Sequence, residues 1–287
     1  MPASQLTSLD IARMNLLCAE GLPGAEGLDV DGCLEALDRW AAHAKSETER
    51  HLYKFHANPA EFENSEGYFR MLMMSVVAYE DFGIRYNPEK ISSPIDLNPD
   101  DQFFRDSRDV LLHGLLGHRR MGTCSSMPVL YVALGRRLGY PLKLVTTKAH
   151  LFIRWDSPTE KFDLEATGKG MTKYDDSHFK IWPFPLSDQE INENAYLKSL
   201  SPAEELSVFL SIRGECLTES GNLAEAAKSF EAAYRLAPDW RGNQVLLAAA
   251  RDRLASRSNA VVLPNSAGSL DGDKPLTKNN NRTKGAK

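Results

Sequence analysis

Apolar residues recur at helical spacing through most of the first third of the chain. The clearest stretch carries Leu34, Leu37, Trp40, Ala41 and Ala44 three and four positions apart, and it predicts an amphipathic helix with Asp31 as N-cap. Gly21, Pro23, Gly24 and Gly27 break it from an earlier helix, and Asn58-Pro59 breaks another later, so several short helices are expected between Leu9 and about Tyr86. A further helix over residues 68–82 presents Met71, Met74, Val77 and Ala78, a stripe that reads as core packing. Residues 92–101 read as a loop.

Past residue 110 the periodicity changes twice. Met127, Leu130, Tyr131, Leu134 and Leu138 predict a buried helix stopped by Gly139 and Pro141; Pro128 falls in its first turn, where backbone N–H groups have no intrahelical partner. Residues 142–145, 150–155 and 162–166 then form short apolar-rich runs bounded by proline and polar residues, and are predicted strands. From residue 201 the pattern is helical again. Counting back from Pro238 in a repeat of about 34 residues places Gly214, Gly221, Ala226, Phe230 and Ala233 where paired tetratricopeptide helices touch. One such repeat cannot bury its own apolar side, and a third helical run over residues 243–255 could cover it.

Composition narrows the class. With 287 residues, 42% hydrophobic and 25% charged, the chain can bury a sizeable core and is not wholly disordered. The balance of 34 basic against 39 acidic residues, net −5, gives no electrostatic ground for nucleic acid or an acidic membrane as partner. Residues 1–13 include Asp10 and no signal-like apolar run, and no stretch approaches the ~18 apolar residues of a membrane helix, so a cytoplasmic protein is expected. Cys18, Cys33, Cys124 and Cys216 lie far apart without CxxC spacing, which suggests free thiols. His113 and His118 with Arg119 and Arg120 read as a solvated basic helix end. As a zinc site with Cys124 they lack a fourth ligand, and no metal or cofactor is expected.

The chemistry is concentrated between residues 110 and 170. Cys124 sits by sequence at the start of the buried helix, where free N–H groups and the positive end of the dipole stabilise a thiolate. A base is also needed, and His150 begins a predicted strand. If residues 156–159 form a four-residue hairpin loop, Trp155 pairs with Glu160 and His150 lies opposite Glu165, about 5 Å away at Cβ. Imidazole and carboxylate then share one face, with Asp163 on that face two residues away. A one-residue slip would put His150 on the opposite face from both acids.

These segments carry a resemblance. Gly122-Thr123-Cys124-Ser125-Ser126-Met127-Pro128, then Ala149-His150-Leu151-Phe152, then Phe162-Asp163-Leu164-Glu165-Ala166-Thr167-Gly168 look like the transglutaminase-like superfamily, over about residues 105–170. The likeness is particularly to a bacterial branch with a helical region before the core and tetratricopeptide-like helices after it. It implies a papain-like core with Cys124 as nucleophile, His150 as base and Glu165 as orienting acid. Glu165 stands where Asp is usual, so Asp163 remains a rival for that role. Ser125 replaces the Trp that commonly follows the cysteine in crosslinking members. Asp29-Val30-Asp31-Gly32 lacks the later ligands of a calcium loop, so calcium-dependent crosslinking is not expected.

The expectation is therefore an α+β protein: a helical region over residues 1–100, a transglutaminase-like core over 101–200, tetratricopeptide-like helices over 201–257 and a disordered tail over 258–287. The expected function is cysteine-dependent acyl transfer or hydrolysis of an amide or isopeptide bond in a protein or peptide substrate. The alternative is a non-catalytic scaffold whose C-terminal helices recruit a protein partner.

Overall fold

The structure, a computed structural model, describes residues 9–91, 102–168 and 171–261. The expected loop over 92–101 and most of the expected tail lie outside these residues. The elements in chain order are α1 (Ile11–Leu17), α2 (Val30–Ala57), α3 (Glu66–Val76), β1 (Arg85–Tyr86), α4 (Ser107–Val110), α5 (Leu112–Leu116), β2 (Met121–Gly122), α6 (Met127–Arg137), β3 (Leu142–Thr147), β4 (His150–Asp156), β5 (Lys161–Glu165), β6 (Thr172–Tyr174), α7 (Asp176–Phe179), α8 (Asp188–Asn194), α9 (Pro202–Glu219), α10 (Leu223–Leu236) and α11 (Arg241–Val261). This is an α+β fold.

Two sequence expectations for the helices are corrected. The first long helix is one rod of 28 residues, α2, capped by Asp29, whose carboxylate accepts the Gly32 N–H at 2.9 Å; Asp31 is not the cap. The helix α11 continues to Val261, beyond residue 255 where the pattern placed its end. The methionine stripe behaves as expected: Met71 and Met74 on α3, with Val77 and Ala78 in the π-turn that follows it, are all buried.

The centre of the molecule is a four-stranded antiparallel meander, β3-β4-β5-β6. One face carries Leu142, Leu144, Leu151, Ile153 and Leu164 into the main core, where they meet Leu130, Val132 and Leu134 of α6. The opposite face is more polar, with Thr147, His150, Arg154, Asp163 and Glu165 around Phe152. It is covered by the chain after β6, and Phe179 stacks on Phe152 with ring centroids 3.8 Å apart. Strand side chains alternate faces, so one ladder supplies both the apolar floor and a buried polar stripe.

The C-terminal helices are fastened to this core by a buried charge. Glu205 on α9 is fully buried, and its carboxylate receives two N–H groups of Arg136 on α6 at 2.6 and 3.0 Å. Within the helical hairpin, Gly214 lets α9 approach α10: a Cβ there would meet the Phe230 ring at 2.5 Å. Removing the arginine would leave the Glu205 carboxylate without its cation inside the protein. Arg136→Leu is therefore expected to lower unfolding stability by about 3 kcal/mol, the low end for a broken buried pair because Arg136 is partly exposed. Denaturant titration checks this, and an unchanged midpoint would mean that the pair holds nothing.

Candidate active site

The turn before α6 is built by side chains that leave Cys124 uncommitted to it. The Thr123 and Ser126 hydroxyls both donate to the Asp109 carbonyl at 3.0 Å, and Ser126 Oγ accepts the Thr123 N–H at 3.1 Å. Asp109 is itself fixed by Asn87 and Arg119, each at 2.9 Å. Gly122 is required by close approach, since a Cβ would lie 2.4 Å from Ser126 Oγ. Parallel pairing of β1 with β2 sets Tyr86 beside Gly122, and Cys124 follows two residues later. Cys124 lies in the turn ahead of α6, whose N-cap is Ser126, rather than in the helix itself.

His150 and Glu165 are brought together by the β4–β5 hairpin, in a register that differs from the expected one. The ladder pairs Asp156 with Lys161 and Arg154 with Asp163, a shift of two residues. The cause lies in the turn. Ser157 Oγ accepts the Glu160 N–H and also donates to the Glu160 carbonyl, both at 2.9 Å, placing Pro158 at the corner position proline favours. A shift of two preserves the face, so His150 and Glu165 remain neighbours, now diagonal. His150 Nε2 meets Glu165 Oε2 at 2.6 Å, and both residues are less than a tenth exposed. The other carboxylate oxygen, Oε1, accepts the Thr167 N–H at 2.8 Å and the Thr167 hydroxyl at 2.5 Å. Asp163 is engaged elsewhere: both its oxygens receive Arg154, at 2.5 and 2.7 Å.

The electrostatics follow from this geometry. Burial pushes His150 down, but its interactions with Cys124 and Glu165 outweigh burial and raise it to about 9. Burial works against ionisation of Glu165, whereas His150 and Thr167 stabilise the carboxylate and hold its pKa below the usual value. Nε2 is used by Glu165, which leaves Nδ1 for the thiol. Tyr86 is raised by burial and by interaction with Cys124, so its hydroxyl stays protonated beside the sulfur.

Cys124, His150, Tyr86, Thr167 and Trp182 open onto one cavity of about 1300 Å³. Trp182 packs edge-on against His150 at 4.6 Å, whereas Trp155 lies in the core stacked on Phe162. His113 is buried with Nε2 3.2 Å from Ser107 Oγ, and Arg119 pairs with Asp106 and Asp109; neither lines this cavity. Sequence reading did not find Tyr86, because no local pattern links a two-residue strand to a cysteine 38 positions later.

The family model described as transglutaminase-like superfamily matches residues 32–207, well over half of the chain and including all three residues above. The chain belongs to the transglutaminase-like superfamily. Comparison with curated proteins and with solved structures gave no match. The superfamily match begins in α2 and ends in α9, so α3 to α5 and nearly all of α2 belong to the matched region, whereas α1 lies ahead of it.

The raised value of His150 can be measured. An NMR titration of the imidazole is expected to give a midpoint near 9, against an ordinary 6.5, and Glu165→Gln should move it down. Because the folded value lies above the ordinary one, protonation of His150 favours the folded state. That contribution is complete below ~6.5 and lost as pH rises through about 9.

Proposed function

We propose that the protein is a cysteine-dependent acyltransferase or hydrolase acting on an amide or isopeptide bond, with Cys124 as nucleophile, His150 as acid and base, and Glu165 as the group that orients His150. The observation that carries the reading is the buried His150–Glu165 hydrogen bond opening onto the cavity that also exposes Cys124. An imidazole raised to about 9 is a cation at neutral pH, which is the partner a thiolate requires. Glu165 fixes the ring so that one nitrogen always points away from the sulfur, as the third member of such triads does.

In this reaction the Cys124 sulfur attacks the carbonyl carbon, forming a C–S bond and a tetrahedral oxyanion, to which this reading assigns the Cys124 backbone N–H as a donor. Collapse breaks the C–N bond as His150 gives its proton to the departing amine. Water or an acceptor amine, deprotonated by His150, then attacks the thioester and releases the Cys124 sulfur. Membership of the superfamily supports the reaction class, and the free thiols Cys18, Cys33, Cys124 and Cys216 fit a reducing cytoplasm.

Two measurements test the proposal. Iodoacetamide near neutral pH is expected to alkylate Cys124 at least about tenfold faster than the other cysteines, of which Cys18 and Cys216 are pushed up to about 12 by burial. A screen of peptide amides with amine acceptors should give product that Cys124→Ala abolishes and that His150→Ala reduces by about 10²–10⁴-fold. Product that survives Cys124→Ala would overturn the mechanism. Equally slow alkylation of all four cysteines would favour the scaffold reading.

A further inference from the structure

The cavity that exposes Cys124 and His150 does not end at the core. Its far wall is formed by the C-terminal helices. On α9 the lining residues Val208, Ser211, Ile212, Glu215 and Thr218 recur three and four positions apart, so one continuous helix face is turned to the cavity. Trp240, Asn243 and Arg253 line it from the start of α11 and along that helix. Asn243 locks the two helices together: Nδ2 donates to Ser207 Oγ at 2.9 Å and to the Ala237 carbonyl at 3.1 Å, while Oδ1 accepts the Ser211 hydroxyl at 3.2 Å. At about 1300 Å³ the cavity is larger than the ~300–1,000 Å³ usual for small-molecule sites.

Glu215 is the unexplained group on this wall. It is half-buried, burial raises its carboxyl, and the charge of exposed Arg253 offsets that only in part. Among the described residues no hydrogen bond or ion pair uses its carboxylate. A half-buried carboxylate that faces a cleft with no hydrogen-bonded partner is a position where a ligand's cation can supply a contact.

We infer that the C-terminal helices are the recognition wall of the cleft and seat an extended polypeptide, one of whose basic side chains pairs with Glu215 while its acyl group reaches Cys124. The last clause rests on the acyl-transfer reading; the seating of the peptide does not. A polypeptide suits the site because the cavity has two walls, an aromatic side at Trp182 and Trp240, and hydrogen-bonding groups between them. The C-terminal helices on this view bind the substrate itself.

The test uses full-length Cys124→Ala protein, so that binding is read without turnover. Fluorescent ten-residue peptides in a mixed Ala, Ser, Gln, Leu and Tyr background carry one fixed Lys, norleucine or Glu, and binding is followed by anisotropy. The Lys set is expected to bind about tenfold more tightly than the norleucine set, the scale of one charge-assisted contact. Glu215→Gln should erase that difference while leaving norleucine affinity and thermal midpoint unchanged, and Glu215→Lys should transfer the preference to the Glu set. Absence of binding by every set, equal binding of all sets, or a Glu preference in the parent protein would overturn the inference. If the Lys set binds as expected but wild-type protein turns over no peptide, the acyl-transfer reading fails and this one stands. Turnover of peptides with no preference at the fixed position would produce the reverse result.

Discussion

An imidazole and a carboxylate that are each less than a tenth exposed can remain ionised only if each supplies what water would have supplied to the other. In this protein that condition is met by a 2.6 Å contact between His150 Nε2 and Glu165 Oε2, and much of the surrounding architecture serves it. The Ser157–Glu160 turn sets the strand register, Thr167 occupies the remaining carboxylate oxygen, and Trp182 covers the ring. Loss of the Thr167 hydroxyl would leave the buried Glu165 carboxylate one hydrogen bond short, and loss of the Trp182 ring would expose the imidazole. The stripe is either fully connected or unstable.

The site stands between two rigid supports. The cysteine turn is pinned through Asp109 to Asn87, just after β1, and to Arg119, before β2, whereas His150 and Glu165 belong to the central sheet. These supports meet because α6 follows the turn directly and packs on the apolar face of the same sheet that carries the pair on its other face. The C-terminal helices then close the cavity, fixed by Arg136 and Glu205 rather than by a covalent link. The Arg136–Glu205 ion pair thus connects the packing of those helices, which also rests on Leu22, Val110 and Leu111 against Ile212 and Cys216, to the helix that begins at the site.

How much of this could be read from sequence differed from element to element. The helix α6 and strands β3 to β5 were legible because Gly139, Pro141 and polar residues punctuate clear apolar runs. The single rod α2 was not, since from Lys45 to Lys54 it is polar on most sides and is supported by pairs such as Lys45 with Glu49 and Glu47 with Arg50, leaving no apolar stripe to count. The hairpin turn was misplaced by one position because the side-chain grip of Ser157 on Glu160 is invisible to a count of loop length. Even so, His150 and Glu165 were expected on one face, and they share it because an error of two in register conserves parity. Tyr86 and the wall formed by α9 and α11 had no local signature, since they reach the site only through tertiary packing.

The same shift in register explains why the acid beside His150 is Glu and why Asp163 is not its partner. In the observed ladder the position directly across from His150 falls beyond the end of β5, at residue 167 if the pairing were continued, so position 165 is its diagonal neighbour. Diagonal positions lie about 7–8 Å apart, a distance that longer side chains can span. The length of the Glu side chain carries the carboxylate along that diagonal to His150 Nε2. Asp163 sits directly across from Arg154, and that guanidinium takes both of its oxygens and reaches Asp176 as well. Two acids on one face are thereby assigned to two different cations by position and length alone, which keeps the imidazole free of competition.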